Sequence, residues 1–152
     1  KIGNGDKHIK KWFITYWKER DWITEQSFSL VDGMKPGPLD GLKKTEIGDI
    51  AVEWETGNIS SSHRALNKMA LALVNKQIIG GFLIIPTKEL YRYLTDRVGN
   101  YKELQPYFPL YQNLQIEKGI LGIYGVTYDN ISNDVELIPK GRDGNSLKLE
   151  EE

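Results

Sequence analysis

Hydrophobic and polar positions alternate along this chain in two rhythms, one with the period of a helix and one with the period of a strand. From Ile9 to Arg20 the apolar residues Ile9, Phe13, Tyr16 and Trp17 recur at helical spacing, which predicts an amphipathic helix. Ser27 to Val31 reads as a short strand, and Lys35-Pro36-Gly37-Pro38 forces an extended or turning path after it. Leu39 to Lys44 and Asp49 to Glu55 then read as two strands joined by a turn near Ile47-Gly48. Ser60 to Lys76 gives the strongest helical pattern, with Leu66, Met69, Ala70 and Leu73 as its stripe. Ile78 to Pro86 is the longest apolar stretch and predicts a buried strand. Thr87 is placed to cap a helix reaching Asp96. A short helix interrupted by Pro106 is expected between Tyr101 and Leu110, with further strands at Gly119 to Tyr128 and Val135 to Pro139. Helices alternating with strands after an initial hairpin predict an α/β fold with a central mixed β-sheet flanked by helices.

Composition narrows the options. The 152 residues fit one domain, 1–152, long enough to bury a core. Nothing apolar is long enough to span a bilayer and no signal peptide is visible, so a cytoplasmic protein that makes no membrane contact is expected. The absence of cysteine excludes disulfides and thiolate metal sites, and two histidines make a poor basis for a zinc site. The net charge of −1 does not mark a nucleic-acid binder, but residues 1–20 hold six basic side chains against two acidic ones, and the tail Glu150-Glu151-Glu152 offsets them.

Candidate chemistry lies in Asp49-Ile50-Ala51-Val52-Glu53-Trp54-Glu55. Strand alternation sends Ile50, Val52 and Trp54 to one face, expected to be the core, and Glu53 and Glu55 to the other. Two carboxylates roughly 6–7 Å apart along a strand repel each other unless a cation lies nearby. With a third acid they offer hard oxygen donors suited to magnesium. A hairpin would bring Asp40 of Pro38-Leu39-Asp40 beside Glu53. The layout Pro-X-Asp, hairpin, acid-X-acid is that of the PD-(D/E)XK nucleases, with Asp40 and Glu53 on metal and Glu55 activating water. Taken alone, the same acid-X-acid pattern also describes the solvated face of an amphipathic strand.

The run Glu53-Trp54-Glu55-Thr56-Gly57-Asn58-Ile59-Ser60-Ser61-Ser62-His63-Arg64 resembles the BamHI family of type II restriction endonucleases. Three further blocks agree with it: Gly37-Pro38-Leu39-Asp40, Tyr93-Leu94-Thr95-Asp96-Arg97-Val98, and Leu137-Ile138-Pro139-Lys140-Gly141-Arg142-Asp143-Gly144. Order and approximate spacing hold from about Gly3 to Ser146. The resemblance implies catalytic roles for Asp40, Glu53 and Glu55, and a metal role for Asp40, Glu53 and also Glu25, which residue chemistry alone reads as a surface charge. It implies DNA contacts from Asn58, Ser60, Arg64, Asp96, Arg97, Asp143 and Gly144, and, in a weaker block, from Lys10. Arginine suits guanine, aspartate the cytosine amino group and asparagine adenine, so these side chains fit a G-G-A half-site. A symmetric homodimer reading both halves would recognise double-stranded DNA at a palindrome, and the family implies G/GATCC. The implied cofactor is Mg2+, with Mn2+ substituting and Ca2+ supporting binding without cleavage. Family dimers imply pairing through helix 60–76 and region 101–110. The resemblance also implies that longer members carry an amino-terminal segment absent here, so a DNA-binding fragment without catalysis is the alternative reading. Simpler roles stand beside these: Asn58 and Ser60 as helix caps, Asp96-Arg97 as a solvated ion pair, Asp143-Gly144 as a turn, His63 as a packing residue, and Tyr93 and Trp54 as core residues.

Overall fold

The computed structural model describes residues 7–29, 33, 37–55, 57–94 and 98–134. Helix α1 spans Lys7–Lys18, close to its predicted bounds. The first strand, β1, covers Ile23–Phe28 and so begins four residues before the predicted Ser27. Strands β2 (Gly37–Thr45) and β3 (Gly48–Trp54) form the expected hairpin, closing through Thr45 opposite Gly48. Gly48 has φ 141°, and a Cβ there would meet the Ile79 side chain at 2.6 Å, so the turn needs glycine on both counts. Helix α2 (Ile59–Val74) carries the chain back to β4 (Gly80–Pro86), which lies parallel to β3. This β3–α2–β4 crossover is the βαβ unit that parallel strands require. After the short helices α3 (Lys88–Tyr91), α4 (Tyr101–Leu104) and α5 (Phe108–Gln112), strand β5 (Ile120–Val126) adds in parallel to β4. The sheet runs in the order β1-β2-β3-β4-β5, antiparallel on one side and parallel on the other, which is the mixed α/β sheet the sequence predicted.

Both faces of the sheet are covered. On one side α2 buries Leu66, Met69 and Leu73 against Leu39, Ala51, Leu83 and Ile85. On the other, α1 lays Ile14 and Trp17 against Val52, and Phe13 stacks on Trp54 at 5.0 Å between ring centroids. Val52 and Trp54 therefore face α1, as the alternation predicted. The opposite face of β3 is not a solvated one, because the parallel crossover lays α2 over it and Ala51 is fully buried there.

Two local expectations need correction. The helix capped by Thr87 ends at Tyr91, not Asp96: Leu94 turns inward to join Leu90 and Val98 against Ile9 and Val126, and this packing overrides helical periodicity. Tyr93 is not core but 41% exposed, its ring edge-on to Tyr128. The helical stretch from Tyr101 is interrupted at Pro106 as expected: a 3-10 segment, Gln105–Tyr107, separates α4 from α5. The predicted strand Val135 to Pro139 and the end of the predicted strand at Val31 lie outside the described residues.

Candidate active site

The hairpin register brings the acids together. Gly41 pairs with Val52, so the next position places Asp40 opposite Glu53 at the end of the sheet. Asp40 is buried and doubly held: its Oδ2 accepts the backbone N–H of Trp54 at 2.7 Å, and its Oδ1 lies 2.5 Å from Lys10 Nζ. Lys10 projects from the first turns of α1, so it reaches the carboxylates rather than lying apart from them. Glu53 faces α2 and meets Lys68 Nζ at 3.5 Å. Burial first, then the Asp40 charge, push the Glu53 carboxyl from an ordinary 4.5 up to about 7, while Lys68 and Lys10 pull the other way.

Glu55 follows the strand, its N–H donating to Ile84 O at 2.9 Å. Its Oε1 accepts the Gly57 N–H at 2.6 Å. Burial raises its pKa, the Gly57 hydrogen bond opposes that rise, and Arg64 contributes a weaker favourable charge. Gly57 has no room for a side chain: a Cβ would lie 2.8 Å from Glu55 Oε1 and 2.9 Å from Ser61 Oγ.

Glu25 is different. Its flanking residues Thr24 and Gln26 pair with Gly41 and Leu39, so its backbone lies across from Asp40. Its own φ is 55°, however, a left-handed conformation unusual for glutamate, and its exposed side chain pairs with Lys18 at 3.3 Å. The structure thus brings Asp40, Glu53 and Glu55 to one end of the sheet and turns Glu25 away from it. Among the described residues no three acidic or histidine side chains are gathered into a ready-made metal cage. The donor set nonetheless fits a hard divalent cation: the carboxylates are oxygen-only ligands, partly desolvated and mutually repelling, and a cation relieves both costs.

The candidate readers stand beside the acids. Asn58 caps α2, its Oδ1 accepting the Ser61 N–H at 3.2 Å. Asn58, Ser60 and Arg64 are all exposed on the opening turns of that helix, and Arg64 Nη2 donates to Ser61 Oγ at 3.1 Å. Asp96, Arg97, Asp143 and Gly144 lie outside the described residues, but Gly99, two positions after Arg97, donates its N–H to Gly57 O at 2.9 Å. His63 packs edge-on against Tyr107 at 4.4 Å, the packing role expected of it. Sequence reasoning missed Lys68. The available signal was its spacing, four residues beyond Arg64 and so on the same face of α2.

A mixed α/β sheet that gathers carboxylates at one end of its inner strands, beside a capped helix, is the architecture of the restriction-endonuclease-like proteins. The family model described as restriction endonuclease BamHI matches residues 1–145. Type II restriction enzyme OkrAI of Oceanobacter kriegii is 44% identical over 146 residues, covering 96% of this chain and 75% of that protein. Type II restriction enzyme BamHI of Bacillus amyloliquefaciens is 36% identical over 153 aligned positions, covering 95% of this chain and 69% of that protein. The chain belongs to the BamHI family of type II restriction endonucleases, which are DNA-binding nucleases of restriction–modification systems.

Proposed function

We propose that this chain, as a homodimer, hydrolyses phosphodiester bonds in double-stranded DNA at the palindrome G/GATCC, with Mg2+ as cofactor. The observation that carries the reading is the placement of Glu53. Its carboxylate is part-buried beside Asp40, and the Lys68 and Lys10 ammonium groups offset the cost of that burial and repulsion only in part, which favours a further cation there. Asp40 and Glu53 would hold the metal, which when bound supplies charge stabilisation at the scissile phosphate and acidifies its water. Glu25 could join them only by leaving Lys18.

Glu55 orients the attacking water and accepts its proton. Its raised pKa suits a base, and the Gly57 N–H fixes one carboxylate oxygen so that the other is free to face the water. The water oxygen forms a bond to phosphorus, the bond from phosphorus to the 3′ oxygen breaks, the departing 3′ oxygen takes a proton from solvent water, and a 5′-phosphate and a 3′-hydroxyl result. Asn58, Ser60 and Arg64, with Asp96 and Arg97, read the half-site from the major groove. Asp143 and Gly144 contact the DNA beyond it. Lys10, a DNA contact by the resemblance, pairs with Asp40 in the free protein. The dimer forms through α2 and region 101–110, where Leu71, Val74, Tyr107 and Leu110 are exposed.

The test is incubation of plasmid carrying GGATCC with the protein, with and without Mg2+. Magnesium-dependent double-strand cutting at that sequence is expected, with Mn2+ replacing Mg2+ and Ca2+ permitting binding alone. Glu53→Ala should bind without cutting, and Glu55→Lys should lose cleavage. Binding in Ca2+ with no cutting in Mg2+ by the unaltered protein would assign it instead to the non-catalytic DNA-binding reading.

A further inference from the structure

Helix α2 returns antiparallel to β3, and its side chains match the acids rung for rung. Along the strand, Glu53 and Glu55 are two residues apart, which is roughly 6–7 Å. Along the helix, Arg64 and Lys68 are four apart, which is about 6 Å. Lys68 consequently meets Glu53 at 3.5 Å, and Arg64 lies within electrostatic reach of Glu55. The Lys68 side chain is only 22% exposed and that of Glu53 15%, so this is not a surface ion pair made and lost in water. Its ammonium also hangs over β2, where a Cβ on Gly37 would lie 3.5 Å from Nζ.

We propose that Lys68 is the resident counter-cation of Glu53, its ammonium holding the carboxylate in the metal-free protein and competing with a divalent cation for it. The inference rests on the metal role proposed above for Glu53. Lys68 places a positive charge 3.5 Å from this part-buried carboxylate from α2, as Lys10 does for Asp40 from α1. A divalent ion that arrives at Glu53 takes over this task, and the displaced ammonium, still on α2, repels it. Lys68 is therefore a positioning residue: it holds the carboxylate in place while setting a threshold on metal entry.

The test is binding of Mn2+ alone to the full chain at pH 8.5, read from the electron paramagnetic resonance signal of the free ion. Lys68→Met should tighten binding about tenfold, because one positive charge is removed within a few ångströms of the ion. Lys68→Arg, which keeps the charge, should leave affinity within about twofold. In a Glu53→Gln background, Lys68→Met should change nothing, which a merely structural role for Lys68 would not produce. Circular dichroism melts establish that each variant is folded, and Lys68→Gln substitutes for Lys68→Met if the latter is not. Unchanged or weaker Mn2+ binding by the folded, charge-removed variant, with wild-type binding that does depend on Glu53, overturns this inference and leaves the metal reading standing. Absence of Mn2+ binding by the wild-type chain overturns both.

Discussion

Replacing Glu53 by glutamine should make the metal-free protein more stable while destroying its activity. The Glu53 carboxyl is raised from 4.5 to about 7, chiefly by burial. An acid whose pKa is raised by folding weakens the fold as it ionises. The penalty is absent below the unfolded value of 4.5, grows as pH rises, and is complete above about 7. Each pH unit of that displacement corresponds to about 1.4 kcal/mol, so the full penalty is about 3 kcal/mol. Glutamine mimics the protonated acid and escapes it. Thermal melts of the two proteins in EDTA should therefore nearly coincide at pH 4.5 and diverge by about 6–10 °C at pH 8, with the Glu53→Gln variant melting higher. Adding Mn2+ at pH 8 should narrow the gap by stabilising only the wild type. If the two proteins melt together at pH 8, or if their difference does not change with pH, the carboxylate is not held under electrostatic stress and the reasoning fails.

Three other expectations follow from the geometry around it. Gly57→Ala pushes a methyl against Glu55 Oε1 and Ser61 Oγ, so cleavage should fall roughly 10- to 100-fold in a DNA-nicking assay. The same variant should melt within a few degrees of wild type, since the crowded atoms end movable side chains. Asn58→Ala removes the α2 cap and should cost about 1 kcal/mol in urea denaturation, and it should also weaken binding to GGATCC duplexes in Ca2+. Leu110→Lys, at a side chain 62% exposed on the proposed dimer surface, should leave the circular dichroism spectrum of the folded protein unchanged but shift analytical ultracentrifugation toward monomer.

The acids were legible because a strand's period is two and a hairpin's register follows from its turn. Those two rules alone set Asp40 opposite Glu53 and put Trp54 in the core. What they could not say was whether the acid face was wet. That depended on α2 folding back over β3, a tertiary fact that also put Lys68, 15 residues downstream, against Glu53. Glu25 shows a different limit. Its backbone lies across from Asp40, but its φ is left-handed and its side chain pairs with Lys18, and neither can be read from Trp22-Ile23-Thr24-Glu25. Tyr93 and the end of α3 were misread for a related reason: Leu94 gains more by joining Leu90 and Val98 than by continuing a helix.

The matching spacing of α2 and β3 has a consequence for anyone wishing to retarget this enzyme. Arg64, a candidate base reader, contributes charge to Glu55, and Lys68 on the same helical face braces Glu53. Swapping Arg64 for a residue that prefers another base would alter the field at Glu55, the acid proposed to activate water, as well as the proposed contact with DNA. Selection for a new target sequence will therefore tend to return slow variants first, and their rates should recover through second changes that restore a positive charge along this one face of α2.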